Sequence, residues 1–368
     1  MARPCPRLAA RLWKTGERWM VPVSQPPCLV RFPTTGEKVL ADGARVSHIG
    51  PRVVLDANAR VFTSDRFGTV AIWKADGSLE RAFGRSGAGP GELAPGLVVI
   101  APARDRSVHV FDNAGRWHRF REDGSLIRTV QFSGTRDPMQ IAALDDGRLL
   151  DASGRDADSV SFLLWSSLRA DVFEAPRIAA RFGPLNAEER RTPWTNRGRL
   201  IAYRGGETFW AGPPRAVGRG YELEEWHVDG RRLRTLRREA PWFPRGADRA
   251  PSRVASGAKP PHEIESIWDL GDERLLVIVL APKSGDWRVP VGRVLDPARR
   301  DQLLSIWAEI LDTRSGTLLA TLGPLTYSQA VAQLPMVMAP GTHRGVQLDT
   351  TADGERYVRR VTMELTAR

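Results

Sequence analysis

Two aspartates that end short apolar segments are the residues whose type and spacing best suit ligand binding. Asp65 is followed by Arg66, and Asp112 is followed by Asn113. Carboxylate oxygens bind cations and accept hydrogen bonds, and a neighbouring guanidinium or amide adds a second contact to a polar ligand. These four residues are therefore the candidate ligand-binding set, expected near a central channel. Each aspartate could instead accept hydrogen bonds from its own turn, and the sequence favours this structural role because the residue recurs in each repeat.

The spacing of the two aspartates belongs to an internal repeat of 47 residues. Trp73 corresponds to Phe120, and an Asp-Gly-Ser-Leu segment at 76–79 returns at 123–126. A period of roughly 40–50 residues built from strands rather than helices predicts a β-propeller.

Each repeated unit consists of four short strand-like segments. In the first unit they lie at 53–55, 60–63, 70–73 and 79–83. The third is apolar at every position, as expected for a strand covered on both faces by neighbouring blades. An Asp-Gly dipeptide then supplies the positive φ angles of a tight hairpin. Weaker patterns continue along the chain, so blades are predicted at 50–93, 94–134, 138–185, 199–240, 264–325 and 326–368.

The predicted architecture is an all-β, six-bladed propeller of four-stranded antiparallel blades, forming one domain over residues 1–368. An open ring would leave two unpaired sheet edges, so it is expected to close by pairing N- and C-terminal strands. Segments 17–23 and 29–32 are available for the last blade. Seven blades are the alternative, because the N-terminal segment could hold a degenerate blade.

Three connections rich in proline and arginine interrupt the pattern. They are expected to be surface loops whose role the sequence does not determine. They span 184–199, 241–261 and 281–301.

A glycine-rich segment at 83–93 lies between the first two units. It lacks a Gly-Lys-Ser or Gly-Lys-Thr ending, and a further Pro-Gly follows where a helix would have to begin, so it is not a phosphate-binding loop. Its glycines suit the backbone angles needed where the chain crosses to the next blade. Glu92 is placed to accept hydrogen bonds from amides of that turn. The predicted inter-blade turn comprises Gly84, Gly87, Gly89, Pro90, Gly91 and Glu92.

This segment resembles the inter-blade sequence of NHL-repeat propellers, in which a Gly-x-Gly-Pro-Gly-Glu-Phe-like turn precedes the next innermost strand. The order of apolar segments, aspartates and the Asp-Gly turn over residues 53–77 is similar to the NHL pattern. Over residues 50–134, and faintly to about 325, the chain resembles NHL-like bacterial six-bladed propeller proteins, most of them uncharacterised. The resemblance implies the same fold and a repeat protein with variable loops around a channel.

Catalysis has weaker support than binding. Six-bladed hydrolases, lactonases and lyases hold a metal in the channel with carboxylates and amides, and the only assembly available for this is Asn58, Asp65, Asp112 and Asn113. The six histidines show no metal-ligand spacing, and no Gly-x-Ser-x-Gly nucleophile motif occurs. We therefore expect no catalytic residues and no cofactor. A divalent cation in the channel is expected only if the protein is such a metal-dependent enzyme.

The net charge of +11 raises the question of nucleic-acid binding. The basic residues are nearly all arginine in a chain rich in alanine, glycine and proline, so the charge is attributed mainly to GC-rich coding. The densest basic run, at 231–238, follows an Asp-Gly turn and is predicted to be the outermost strand of its blade, where charge discourages aggregation. Single-stranded RNA binding through a basic face is a further, less favoured function.

Cys5 and Cys28 are the only cysteines. A bridge between them is possible, but two cysteines are not a disulfide framework, and unpaired thiols are expected. The first residues lack the apolar stretch of a signal peptide, and no run approaches the roughly 18 apolar residues of a membrane span. A cytoplasmic protein is expected by default, or a cell-envelope protein if the true start lies upstream.

The sequence therefore predicts a non-catalytic propeller that binds an unknown protein or small polar ligand. Partner identity and oligomeric state are not determined. The residues that line the channel decide between the classes of function. Convergent carboxylates there would indicate a metal-dependent enzyme, whereas mixed or apolar walls would indicate a scaffold.

Overall fold

Strands make up almost all of the regular structure. A computed structural model describes residues 3–34, 53–65, 67–96, 98–131, 141–145, 147–155, 160–165, 177–182, 201–203, 205–212, 220–243, 262–285, 287, 296–350 and 356–368. The connections predicted at 184–199 and, beyond residue 243, at 241–261 lie outside the described residues. Two strands precede the first repeat, β1 (Glu17–Val21) and β2 (Cys28–Arg31).

The two repeated units form the first and second sheets, and both are antiparallel throughout. Strand β5 is buried at every position, as its unbroken apolar sequence predicts. The first sheet comprises β3 (Val53–Leu55), β4 (Val61–Ser64), β5 (Val70–Trp73) and β6 (Leu79–Phe83). The second comprises β7 (Val99–Pro102), β8 (Val108–Phe111), β9 (Arg116–Phe120) and β10 (Leu126–Gln131).

The third and fourth sheets continue the same order of antiparallel strands. The third comprises β11 (Ile141–Ala143), β12 (Leu149–Arg155), β13 (Val160–Trp165) and β14 (Arg177–Phe182). The fourth comprises β15 (Ile201–Ala202), β16 (Thr208–Ala211), β17 (Tyr221–His227) and β18 (Arg232–Arg238), and β1 lies beside β18 at its outer edge.

The remaining chain forms two sheets and two short helices. In chain order the elements are β19 (Glu263–Asp269), β20 (Arg274–Pro282), α1 (Pro297–Leu303), β21 (Leu304–Asp312), β22 (Thr317–Leu325), α2 (Tyr327–Gln333), β23 (Val337–Met338), β24 (Arg344–Thr350), β25 (Arg356–Thr362) and β26 (Glu364–Ala367). Strands β19 to β22 belong to the fifth sheet, and β23 to β25 form the sixth. The predicted loop at 281–301 therefore ends in a helix, whose first turn is capped by the Asp296 side chain accepting from the Arg299 amide at 2.9 Å.

The fold is an all-β propeller with small antiparallel blades, as the repeat predicts. The predicted count of six four-stranded blades is wrong. Among the described residues, five sheets have four or more strands and form complete blades, whereas the sixth sheet has three strands. The fourth and fifth sheets grow to five and six strands because terminal strands of the chain join their outer edges.

The two ends of the chain pair with each other, but they do so on the fifth sheet rather than on the last one. Strands β2 and β26 are antiparallel, with Leu29 opposite Thr366, and β2 also lies parallel to β22. At the sixth sheet the N-terminal segment contributes a bridge between Thr34 and Val361 of β25. The terminal strands therefore extend a complete blade, and the predicted completion of the closing blade by 17–23 and 29–32 is wrong.

The N-terminal residues 3–32, which we call the N-terminal strap, lie across the fourth and fifth sheets. Alternating rings and guanidinium groups stack between the strap and the fourth sheet in the order Trp19, Arg11, Trp13, Arg234 and Trp210. The Arg11 guanidinium carbon lies 3.6 Å from the centre of the Trp19 ring. Such cation–π contacts hold the strap through side chains as well as through the strand pairing of β1.

Cys5 and Cys28 form a disulfide with their Cα atoms 5.7 Å apart, so the expectation of unpaired thiols is wrong. Both residues lie beside the C-terminal strand, because Pro4 bridges Thr366 and Cys28 pairs with Ala367. The disulfide joins the first and last parts of the strap at the edge of the fifth sheet.

The hydrophobic core lies between adjacent sheets rather than at the centre of the ring. Between the first and second sheets, Phe62 and Ile72 pack with Ile100 and Val110, and Leu93 of the glycine-rich segment joins them. Comparable clusters lie between the other neighbouring sheets. Because this packing uses the sheet faces, the innermost strands are left to line a space at the centre.

Candidate functional site

A central channel runs between the innermost strands of the six sheets. Residues of β3, β7, β11, β15, β19 and β23 line it, and its volume is about 780 Å³. Cavities of roughly 300–1,000 Å³ are typical of small-molecule sites. Since every sheet contributes its first strand, the shape of the channel depends on the whole ring.

The bore of the channel is mostly apolar. Its wall includes Val54, Ile100, Ala142, Ile201 and Val337, each from a different sheet. Strand β19 differs from the others, because it places Glu265 and Ser266 in the wall beside Trp268. A guest in this bore would bury apolar surface on most sides.

The mouth of the channel is polar and lies at the turns that join the first and second strands of each sheet, a surface we call the hairpin face. In the first sheet, Asp56 Oδ1 accepts from the Arg60 amide at 2.9 Å, and Asp56 Oδ2 accepts from Arg60 Nε at 2.8 Å. Arg60 also contacts Glu122 of the second sheet, which pairs with Arg106 at 2.6 Å. Ion pairs therefore join the first two sheets at the mouth.

A second set of contacts joins the second, third and fourth sheets. Arg104 Nε lies 3.0 Å from Asp145 Oδ1, and Asp145 Oδ2 accepts from the Gly206 amide at 2.9 Å. The Tyr203 hydroxyl accepts from the Asp145 amide and donates to the Gly206 carbonyl, both at 3.1 Å. Burial raises the pKa of Tyr203 to about 12, so the hydroxyl keeps the proton that it donates. The rim of the channel is thus held by fixed contacts between sheets.

The carboxylates of the channel wall do not converge. Within the described part of the chain they are Asp56, Asp145 and Glu265, which belong to three different sheets. The first two are bound within the rim, and Glu265 is half-buried and interacts with neighbouring groups. Over the described ranges, no three His, Cys, Asp or Glu side chains come together in a way that could hold a metal ion. The described wall is therefore mixed and mainly apolar.

The aspartates singled out from the sequence lie on the opposite face from the mouth. Asp65 follows β4 and accepts from the amides of Phe67 and Thr69 at 2.9 and 2.8 Å. Asp112 follows β8 in the same way and accepts from the amides of Ala114 and Arg116 at 3.0 and 2.9 Å. Neither is among the residues that line the channel. In each aspartate Oδ1 accepts from the residue's own turn, and a ligand role for the two side chains stays a prediction.

Asp112 is held more tightly than Asp65. Its Oδ2 atom accepts from Arg116 Nε and from the Ala94 amide, both at 2.9 Å, and His118 lies 3.4 Å away. Burial alone would raise the pKa of Asp112, but these hydrogen bonds outweigh it and hold the pKa well below its ordinary value. The side chain is a permanent anion that ties the glycine-rich segment to the second sheet.

The other residues of the predicted ligand set are also not assembled at the channel. Asn113 Nδ2 donates to the Pro95 carbonyl at 3.2 Å on the face opposite the mouth. Arg66 lies outside the described residues. Asn58 lines the channel on the hairpin face, so the length of β4, about 13 Å at ~3.3 Å per residue, separates it from Asp65. The metal assembly Asn58, Asp65, Asp112 and Asn113 is therefore wrong.

The glycine-rich segment forms a compact turn at the crossing between the first two sheets. Glu92 Oε2 accepts from the Gly89 amide at 2.8 Å, and this hydrogen bond lowers the pKa of Glu92. Gly84 has a φ of +81°, and a Cβ atom there would lie 2.6 Å from the Gly68 carbonyl oxygen. A bridge between Ser86 and Leu93 completes the turn, in which Gly87, Pro90 and Gly91 also lie. The segment packs between the first two sheets and does not line the channel.

Two of the histidines are buried within the second sheet. His109 Nδ1 accepts from Trp117 Nε1 at 3.2 Å, and His109 Nε2 lies 3.4 Å from Ser107 Oγ. His118 lies between Asp112 and Thr129, whose Oγ1 is 2.9 Å from His118 Nδ1. This Asp–His–Thr arrangement resembles a catalytic triad in order, but its histidine is wholly buried. It therefore stabilises the blade.

The basic run at 231–238 is not an exposed edge, because β1 covers the outer side of β18. This corrects the prediction that it forms the outermost strand. Acidic residues, mostly from β17, neutralise the run. The pairs are Arg231 with Asp229, Arg232 with Glu224, Arg234 with Glu225, Arg237 with Glu222, and Arg238 with Glu309. These five arginines thus each have an acidic partner, and RNA binding stays a prediction.

Comparisons with known proteins bear on the fold. No protein-family model matches the chain, and no curated protein matches it. A Bacteroides fragilis protein, provisionally described as exported, is 12% identical with a TM-score of 0.54, covering 96% of this chain and 100% of its own. The WD40 repeats of RRP9 are 12% identical with a TM-score of 0.47, covering 90% and 99%. At such identity the likeness concerns the fold alone. Membership of the NHL family stays a prediction.

The helices of the described residues are short. None of them has the length and apolar character needed to span a membrane.

Proposed function

We propose that this protein is a non-catalytic binding scaffold that takes a ligand, or a segment of a partner protein, into its central channel from the hairpin face. In this view the blades supply a rigid wall and the hairpin turns supply the polar contacts that orient the guest. No cofactor takes part.

The observation that carries this proposal is the division of the channel into an apolar bore and a polar mouth. The bore residues come from separate sheets, so their positions are fixed by the ring. The rim residues Arg60, Arg104 and Asp145 are fixed by ion pairs between sheets. A preformed apolar cavity with a few placed polar groups is the usual form of a binding site, and it needs no reorganisation to accept a guest.

The disulfide supports a location for this function. Both cysteines of the chain are used in one bridge that holds the N-terminal strap. Disulfides persist in oxidising compartments and are rare in the cytosol. We therefore propose the cell envelope or the exterior, in place of the cytoplasm, as the place where the protein works.

A fluorescent probe with an apolar ring system, 8-anilinonaphthalene-1-sulfonate, tests whether the channel accepts a guest. Its emission increases in apolar surroundings. The folded protein should enhance the emission, and Val54→Trp, which fills the bore from β3, should remove the enhancement. The control is Val23→Trp, because Val23 is 69% exposed on the strap. Equal emission with both variants would contradict the proposal, provided that circular dichroism shows both to be folded.

A further inference from the structure

The charges at the mouth of the channel are unequally accessible. Arg104 and Arg106 line the mouth with side chains 59% and 71% exposed. Asp56, by contrast, is 12% exposed and is bonded through both oxygens to its own turn and to Arg60. Asp145, which pairs with Arg104, and Glu122, which pairs with Arg106, are also less exposed than their arginines, at 33% and 21%. An incoming ligand therefore meets the guanidinium groups first. Guanidinium groups bind carboxylates with paired hydrogen bonds.

A negatively charged residue, Glu265, lies further along the bore. Glu265 is four residues before Asp269, where β19 ends at the hairpin face. Glu265 lies in the register shift between Ile264 and Ser266, so about three regular steps of ~3.3 Å place it about 10 Å inside the mouth. Between the two levels the wall is apolar, with Val54, Ile100 and Ala142 on the neighbouring sheets. A negative group is thus favoured at the arginines and disfavoured in the apolar part of the bore, where it would lose its hydration without gaining a partner.

We propose that the ligand of the channel is an elongated molecule with an apolar body and one terminal carboxylate, bound with the carboxylate at Arg104 and Arg106. This proposal rests on the proposed function, since it names the chemical class of the guest. The apolar body displaces water from the bore, and the carboxylate stays at the mouth, where water and the two arginines solvate it. Two sources share this chemistry, a fatty acid and a peptide that ends in apolar residues.

Titration calorimetry with three probes of one chain length tests the class of ligand. The probes are decanoate, decanol and decyltrimethylammonium. Decanoate should bind about tenfold more tightly than decanol, and the ammonium compound should bind more weakly than both, because one charge-assisted contact contributes about one decade in affinity. Arg106→Gln and Arg104→Gln should each weaken decanoate binding by about three- to tenfold, and Arg106→Gln, which breaks no contact between sheets, should leave decanol binding unchanged.

The matched control is Arg85→Gln. Arg85 is 80% exposed and belongs to the glycine-rich segment on the face opposite the mouth. Its removal changes the net charge of the protein by the same amount and should leave decanoate binding unchanged. If Arg85→Gln weakened decanoate binding as much as Arg106→Gln does, the effect would be one of overall charge and the proposed contact would be wrong.

A second pair of probes distinguishes the two sources. An acetylated Val-Ala-Leu peptide with a free carboxyl terminus is compared with the same peptide amidated. Tighter binding of the free peptide than of decanoate indicates a protein partner, and the reverse order indicates a fatty acid; either outcome supports a carboxylate at the mouth.

Equal binding of decanoate and decanol overturns the ligand class but leaves the channel as a binding site. If no probe binds, and 8-anilinonaphthalene-1-sulfonate also fails to bind, both the ligand class and the proposed function are wrong.

Discussion

Arg238 Nε donates to Glu309 Oε2 at 2.6 Å across the interface between the fourth and fifth sheets. Both side chains are more than nine-tenths buried, and Tyr221 lies close to them. Burial, together with the nearby Glu309 charge, raises the pKa of Tyr221 well above its ordinary value. The pair is thus a buried charge contact that fixes how two blades meet, and it lies at the sheets that carry the N-terminal strap.

Removal of one member of this pair should be costly. Glu309→Ala leaves the Arg238 guanidinium buried without its counter-charge, and the free energy of unfolding should fall by about 3–5 kcal/mol. The double variant Arg238→Met with Glu309→Leu replaces both residues by apolar ones. It should be more stable than Glu309→Ala by several kcal/mol. Urea unfolding measures each value. As a control, Arg231→Ala removes an exposed pair with Asp229 and should cost less than about 1 kcal/mol.

The stability of the protein should fall in mild acid because of His109. Burial lowers the pKa of His109 to about 3, whereas it is about 6.5 in the unfolded chain. Between these values the unfolded state binds a proton that the folded state does not, so the stabilising contribution is complete above pH 6.5 and is lost as the pH falls. At pH 5 the loss relative to pH 7 should be about 2 kcal/mol.

The structural reason is that His109 Nδ1 accepts a hydrogen bond from Trp117, which a protonated ring cannot do. Urea unfolding of the native protein and of His109→Gln at pH 7 and pH 5 separates this effect from those of other groups. The variant should be less stable at pH 7 but should lose about 2 kcal/mol less on acidification. If both proteins lost the same unfolding free energy between pH 7 and pH 5, groups other than His109 would cause the pH dependence.

The parts of the fold that could be predicted are those encoded locally. Strands β5 and β6 begin and end at the predicted residues, because an apolar run and an Asp-Gly turn determine them within a few positions. The turn itself is set by Asp76, whose Oδ1 accepts from the Ser78 amide at 2.9 Å. The 47-residue repeat then carries the same features to the second sheet. Local chemistry therefore suffices for the blade and for the class of fold.

The features that were missed depend on contacts between residues that are distant in sequence. Arg11 stacks on Trp13 and Trp19, and the strap then adds β1 beside β18, which nothing in the local pattern of β18 indicates. The same docking brings Cys5 to Cys28. The channel mouth has a similar origin, because Asp145 meets Arg104 only when the third sheet lies beside the second. The candidate aspartates stood out in the sequence because they recur in each repeat. They recur because each turn uses an aspartate to accept hydrogen bonds from its backbone amides.

The disulfide should stabilise the outer strands more than the ring. Replacing Cys5 and Cys28 by serine together removes a cross-link between residues 23 apart, which should lower the free energy of unfolding of the strap by about 3 kcal/mol. Strand β26 pairs with β2. Hydrogen exchange of amides in β1, β2 and β26 should therefore accelerate, while that of β4 and β5 stays unchanged. A reductant should reproduce this pattern in the native protein and have no effect on the double variant. Unchanged exchange in β26 would show that strand pairing alone holds the terminus.

Two glycines beside the strap offer a matched test of its packing. Gly16 and Gly316 have φ angles of +76° and +69°, so alanine is strained by a similar amount at either position, about 1–2 kcal/mol. A Cβ atom at Gly16 would meet nothing within 4 Å, whereas one at Gly316 would lie 2.6 Å from Trp19 Cδ1. Trp19 also donates to the Gly316 carbonyl at 3.0 Å.

Gly316→Ala should therefore displace the Trp19 ring, and its stacking on Arg11 should be lost with it. We expect Gly16→Ala to lower the free energy of unfolding by about 1 kcal/mol and Gly316→Ala by about 3 kcal/mol, since only the second adds the loss of a hydrogen bond and a cation–π contact to the backbone strain. Tryptophan fluorescence should change in Gly316→Ala alone, because only there does an indole move. Equal losses of stability, with unchanged fluorescence in both variants, would mean that the strap does not depend on the contact between Trp19 and Gly316.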